Sequence, residues 1–213
     1  MLIDGAGCWL SQVDGFNTAT GGAALFVDRD DLLIHDPGFL HRPEQVVLKP
    51  GAVALLHRAQ AAGWPVIVVT NQSGIARGYY GWSDFEAVND RMAHLLAAQG
   101  ARLHAILACA FHPHGQGALA RDHDWRKPGA GMVRAAATRL GVALAASWLA
   151  GDRWSDIRAA RSGGLAGAIR IGAQIGGVRR RRATDGFQLL TAPSLPVLLD
   201  TMPAWPADTR RAA

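Results

Sequence analysis

Cysteine is almost missing from this chain. Cys8 and Cys109 are the two in 213 residues, too few for a disulfide framework and in keeping with a reducing, cytoplasmic setting. Long apolar runs are missing as well. No stretch approaches the roughly 20 residues that cross a bilayer, and the start lacks the charged-then-apolar pattern of a secretory leader, so no membrane role is expected. Charged residues are sparse at 18%, and acids are the scarcer sign, leaving a net charge of +5. Part of that excess is local, because Arg179 to Arg182 are consecutive and Arg210 and Arg211 lie near the end. A run of this kind attracts phosphates or nucleic acid, but base-stacking surfaces need interleaved aromatics and none are present. It therefore reads as a solvated loop, and nucleic acid is not an expected partner.

What is plentiful is apolar surface. Hydrophobic residues make up 49% of the chain, which argues against disorder and suffices for one domain with a sizeable core. The stretch that organises the rest is Ala24-Leu25-Phe26-Val27-Asp28-Arg29-Asp30. A short unbroken apolar run reads as a strand buried on both faces, and two carboxylates stand where it leaves the sheet. Alternation in extended chain points residues i and i+2 to one side, so Asp28 and Asp30 are expected to converge on one ion. An acidic turn with no chemistry would look the same on this stretch alone.

Later segments favour chemistry. Residues 1–22 carry no clear period and read as an irregular lead-in. A helix is expected over 52–62, a strand over 65–70 and a helix from a Ser83 cap with Glu86 as its capping box. Further strands are expected over 103–109, 147–150 and 166–171, with helices over 132–140 and up to about 162. A last strand over 187–190 and a helical turn over 195–199 close a domain of residues 23–200, followed by a tail, 201–213. Strand and helix alternate throughout, which predicts an α/β fold: a Rossmann-like parallel sheet with helices on both faces. Ligands of such sheets sit outside the carboxyl ends of the strands, and there the polar residues Asp28, Asp30, Thr70, Asn71 and Asp152 collect.

Lys127, held just before a helix by Pro128, completes the set as a point charge for a phosphate. Asp156, four residues after Asp152, reads as a complement to a helix dipole. Paired carboxylates, a lysine and a hydroxyl are the parts of Mg²⁺-assisted phosphoryl transfer. One acid serves as nucleophile and a second as general acid/base.

FVDRD, VVTNQSGIARG, RKPGAGM and GDRWSDIRAA, in that order, resemble the four motifs of the haloacid dehalogenase (HAD) superfamily of phosphatases. TNQSGIARG and RKP resemble its small capless branch, which includes heptose-bisphosphate and histidinol-phosphate phosphatases. The resemblance implies Asp28 as nucleophile, Asp30 as general acid/base, and Mg²⁺ held by Asp28, the Asp30 carbonyl and Asp152. It implies Thr70 and Lys127 on the phosphoryl group. Arg126, Asp36, Pro37, Gly38, Phe39, Asn71, Gln72 and Ser73 would line the substrate site.

By the same resemblance the substrate is a small phosphorylated metabolite, first a sugar bisphosphate and second histidinol phosphate, and the protein is a monomer. A catalytically silent binding protein is the alternative of another class. Two departures stand out. Asp31-Leu32 replaces the family's Gly-Thr, adding a third acid near the metal site. His112, His114 and His123 fall where relatives carry structural-zinc ligands, but Trp125 takes a fourth ligand position, and the reading prefers a lost zinc site over an all-histidine one.

Overall fold

The computed structural model describes residues 1–13 and 21–202. Strands β1 (Cys8–Gln12), β2 (Leu25–Val27), β3 (Val66–Asn71), β4 (Ala105–Cys109), β5 (Trp148–Gly151), β6 (Gly167–Ile171), β7 (Arg179–Arg182) and β8 (Gln188–Ala192) form one sheet in the order β1-β4-β3-β2-β5-β6-β8-β7. The six central strands run parallel, and β1 and β7 close the two edges in antiparallel sense. From β2 the chain builds outward first through β3 and β4, then on the other side through β5 and β6. The order therefore reverses at β2, and the crevice this creates is where such sheets bind ligands.

Helices cover both faces, as the alternating pattern requires. Leu25 and Val27 of β2 and Val66 and Val68 of β3 face α1 (Ala52–Ala61), α3 (Trp82–Ala97) and α6 (Leu195–Thr201). Phe26, Ile67 and Val69 face the opposite way, onto α4 (Gly131–Leu140) and α5 (Trp154–Ser162). The central strands are apolar at successive positions because both of their faces are dry. No further domain interrupts these elements among the described residues, and no helix there is long and apolar enough to cross a membrane.

Several local expectations change. The lead-in is not irregular throughout, since β1 pairs with β4 from Cys8↔Cys109 to Gln12↔Ala105. Its short CWLSQ sequence lacks an unbroken apolar run because an edge strand can leave its end in water. The arginine run is not a loop either. Arg179 to Arg182 form β7, every one exposed, and charged side chains on an edge strand are a recognised guard against further pairing. The cap of helix α3 falls two residues before the predicted Ser83, at Gly81, whose N–H donates to Asp84 at 2.8 Å. Residues 73–76 form a short helix, α2. Of the predicted tail, Thr201 ends α6, and 203–213 lie outside the described residues.

The β1 edge is anchored by aromatic packing. Trp9 stacks on Trp82 of α3 at 5.2 Å and meets Phe85 edge-on at 5.9 Å. Truncation of such a ring leaves a cavity that its neighbours fill only in part. Trp9→Ala is expected to lower unfolding free energy by about 3 kcal/mol in urea titrations. A change below about 0.5 kcal/mol would show that β1 is not part of the cooperative unit.

Candidate active site

Asp28 follows β2 directly, and its N–H donates to the Ala150 carbonyl of β5 at 2.8 Å, so the carboxyl group is fixed at the reversal of strand order. Lys127 Nζ lies 2.9 Å from Asp28 Oδ1 and 2.6 Å from Asp156 Oδ1, the second an ion-pair contact without hydrogen-bond geometry. It also donates to the Val69 carbonyl at 2.8 Å. The lysine backbone is held by Asn71, whose amide accepts from Lys127 N and donates to Lys127 O, both at 2.9 Å. β3 thus positions the lysine twice, through its own carbonyl and through its last side chain.

Asp28 is 7% exposed, Lys127 4% and Asp156 0%. Burial, with smaller pushes from Asp156 and Asp30 and against the pull of Lys127, raises the Asp28 carboxyl to about 7. Burial works against the Lys127 charge, but Asp156 and Asp28 outweigh it and hold the ammonium above its usual range. Burial, then Asp156, also raises Asp152.

The donor set fits a hard divalent cation. Oxygens of Asp28, Asp152 and Asp156 all lie within 4.8 Å of one another. Asp152 Oδ1 is buried with no hydrogen-bond partner, which is costly unless a cation meets it. The three carboxylates can approach because residue 151 is glycine. A Cβ there would stand 2.4 Å from Asp156 Cγ.

The Asp30 carboxyl does not join this group, contrary to the alternation argument. Extended chain ends at Val27, and a tight turn follows in which Leu33 N and Ile34 N both donate to the Arg29 carbonyl. The turn aims the Asp30 carboxyl at Arg29 and Gln72 instead. Asp31 takes a left-handed conformation, φ 58°, as aspartate does more readily than most residues. Its carboxylate faces Lys49 at 3.8 Å and does not line the cavity over Asp28. Leu32 is packed in the core.

That cavity, about 430 Å³, is lined by Asp28, Asp30, Asp36, Gly38, Phe39, Asn71, Ser73, Arg126 and Lys127, which sequence reasoning named for the site. It also takes Arg29, Leu40, Arg77, Tyr80, His112, Arg153 and Ser155. Pro37 is not in the lining, and neither is Gln72, which is buried behind it at 1% exposure. Thr70 is buried too, with its hydroxyl 3.5 Å from Asp30 Oδ2.

Arg77, Arg126 and Arg153 make one side of the cavity cationic, and Arg77 Nε is buried without a partner. Slight burial, Arg126 and Arg77 lower the basicity of His112, which sits 3.3 Å from Arg77 Nη2. Sequence reasoning missed Asp156 as a metal-facing acid, although its spacing from Asp152 carried the signal. Nothing local marked Arg77 or Arg153.

The three histidines are not a metal site. His112 turns to the cavity. His123 stacks on Phe111 at 4.4 Å and approaches Cys8 at 3.8 Å. Its nearest grouping is with Asp4 and Cys8, not His114. There Asp4 Oδ1 already accepts from the N–H groups of Ala6, Gly7 and Cys8. A strand contributed by the first residues thus draws His123 away from the loop.

A HAD-hydrolase-like family model matches residues 124–172. Over 161 residues, 75% of this chain and 74% of the relative, the chain is 44% identical to D-glycero-beta-D-manno-heptose-1,7-bisphosphate 7-phosphatase of Mesorhizobium japonicum. The chain belongs to the HAD superfamily of phosphatases, in its heptose-bisphosphate branch. It is a phosphoric monoester hydrolase. The D-glycero-alpha-D-manno-heptose-1,7-bisphosphate 7-phosphatase of Burkholderia mallei is 40% identical over 149 residues, 70% of this chain and 79% of the relative. Among solved structures, a protein assigned as a HAD-like phosphatase from Mesorhizobium loti superposes with a TM-score of 0.83 at 38% identity, covering 91% of this chain and 90% of that one. The D,D-heptose 1,7-bisphosphate phosphatase of B. bronchiseptica, solved with magnesium and phosphate, gives a TM-score of 0.68 at 28% identity, covering 84% and 96%.

Two outcomes are expected at this site. Because Asp28 and Asp152 must both be ionised to hold a cation, Mg²⁺ affinity should strengthen by about tenfold between about pH 6 and pH 8, with proton release seen by calorimetry in buffers of different ionisation enthalpy. An affinity independent of pH would contradict the raised carboxyls. Gly151→Ala should weaken Mg²⁺ binding by at least about tenfold while the fold persists by circular dichroism, since the added methyl meets the Asp156 side chain, its Cβ included, and displaces that carboxylate.

Proposed function

We propose that this enzyme removes one phosphate from a small sugar bisphosphate, of the D-glycero-D-manno-heptose 1,7-bisphosphate type, through an aspartyl-phosphate on Asp28. The reading is carried by the Asp28–Lys127–Asp156 contact beside a cavity whose lining includes Arg77, Arg126 and Arg153. A bound Mg²⁺ would be held by Asp28, Asp152 and Asp156 and would supply charge neutralisation for the incoming phosphate.

The protein's own groups do the rest. Lys127 keeps Asp28 oriented and offers positive charge to the equatorial phosphoryl oxygens as negative charge builds on them. Asp28 forms a bond to phosphorus as the bridging oxygen leaves. Asp30 gives that oxygen its proton, then takes one from the water that hydrolyses the acyl phosphate. Burial of Asp28 excludes bulk water from the nucleophile until the substrate sits above it.

The names of the relatives support the sugar substrate, and the cavity chemistry agrees with them. Arg77, Arg126 and Arg153 suit a second phosphate. They oppose the ammonium of histidinol phosphate. Asp36, a carboxylate of the lining, already accepts from the N–H groups of Gly38 and Leu40 through Oδ1.

A turnover screen with Mg²⁺ over heptose bisphosphate, sugar monophosphates, histidinol phosphate and nucleotides tests the assignment. The heptose bisphosphate should give the highest kcat/KM, and a preference for histidinol phosphate would overturn it. Asp28→Asn should abolish turnover, and Asp30→Asn should reduce it by about a hundred- to ten-thousandfold. Full activity in Asp28→Asn would remove the nucleophile assignment.

A further inference from the structure

Gln72 uses every hydrogen-bonding position of its amide, and three of the four contacts lead to Asp30. Its Nε2 donates to Asp30 Oδ2 at 2.8 Å and to Thr70 Oγ1 at 2.7 Å. Its Oε1 accepts from Arg29 Nη2 at 3.1 Å and from the Tyr80 hydroxyl at 2.5 Å. Arg29 is itself buried and holds the other Asp30 oxygen, with Nε and Nη2 both 2.8 Å from Oδ1. The guanidinium is fixed from behind by Asn89 Oδ1 at 3.4 Å and by the Phe85 ring at 5.3 Å.

We propose that Gln72 and Arg29 are positioning residues that clamp the Asp30 carboxyl for proton transfer to the leaving oxygen, with Tyr80 tying the clamp to the substrate cavity. The inference rests on the acid role given to Asp30 above. Guanidinium has no acceptor, so Arg29 forces the Gln72 oxygen toward itself and the amide cannot flip. A donor is therefore always presented to Asp30 Oδ2. Rotation of the carboxyl would lose contacts on both oxygens at once, so the group has one orientation. Oδ1 is occupied twice by Arg29. Oδ2 meets one short neutral donor and the longer Thr70 contact, so it is the less firmly held oxygen, and the transferred proton is assigned to it.

In the first step the bond from Asp28 to phosphorus forms and the bond from phosphorus to the bridging oxygen breaks. The proton on Oδ2 passes to that oxygen. Tyr80, like Arg29 and Asp30, both contacts Gln72 and lines the cavity. A burial-only role for these residues would need neither the full use of the amide nor the agreement of its two ends.

The test compares two leaving groups. A sugar phosphate expels an alkoxide and needs the proton, whereas 4-nitrophenyl phosphate expels a stabilised phenolate and does not. The quantity measured is kcat/KM, which reports steps up to the departure of that group. Gln72→Glu puts a carboxylate oxygen against Asp30 Oδ2. It should cost about a hundredfold on the sugar phosphate and less than about fivefold on the nitrophenyl ester. Tyr80→Phe removes one donor and should cost about fivefold on the sugar phosphate with little change on the ester.

Equal losses on both substrates in either folded variant would overturn the clamp. Should Gln72→Glu fail to fold by thermal denaturation, Tyr80→Phe carries the comparison alone. Asp30→Asn, run in parallel, separates the two claims. If it loses both substrates equally, the acid role of Asp30 fails and the clamp has nothing to position. If it loses the sugar phosphate selectively while the clamp variants do not, the inference alone is wrong.

Discussion

Lys127 sits between two buried carboxylates, and much of the site depends on that ion pair. Removing one partner from a buried charged group leaves the others uncompensated, at a cost of about 3–5 kcal/mol. The lysine is therefore structural and chemical at once. It fixes Asp28 beneath the cavity, and it ties the start of α5, through Asp156, to the end of β3, through the Val69 carbonyl. Three carboxylates facing a single ammonium leave excess negative charge at the floor. A divalent cation would offset that excess.

Around that floor the protein sorts its charged groups by orientation. Asp28 and Asp30 are two residues apart and chemically identical, yet they meet different neighbours. Asp28 looks toward lysine, acids and the cation position, and Asp30 toward an arginine and an amide. Separate environments would suit two like carboxyls to the separate parts proposed for them. The turn that divides them is made possible by Asp31 in a left-handed conformation, with its own charge answered by Lys49 on the far side. The departure from Gly-Thr thus leaves the turn standing and keeps the added acid out of the cavity.

The sheet supplies what no single segment could. Asp28 ends β2, Asn71 ends β3 and Asp152 follows β5, and these three strands are neighbours because the order reverses at β2. Antiparallel edges at β1 and β7 protect the parallel centre, one through the Trp9–Trp82 stack and the other through four exposed arginines.

The sequence by itself determined the α/β architecture, the central strands and most of the cavity lining. Each of these follows from a local pattern: unbroken apolar runs for strands dry on both faces, glycine and proline at the joins, and motifs whose polar residues must fall at strand ends. Asp28, Lys127 and Asp152 were legible for that reason. Tertiary structure decided what depends on partners distant in the chain. β1 has an unremarkable sequence and exists because β4 offers an edge. Asp156 reads as a helix cap until Gly151 lets it reach the cation position. Gln72 reads as a lining residue until Arg29, Tyr80 and Asp30 claim its whole amide. His123 is spaced for a metal in the loop, yet Phe111 and Cys8 hold it elsewhere. Spacing along a chain fixes which side chains lie near the same end of the sheet, but the direction of each one is set by neighbours that only folding brings together.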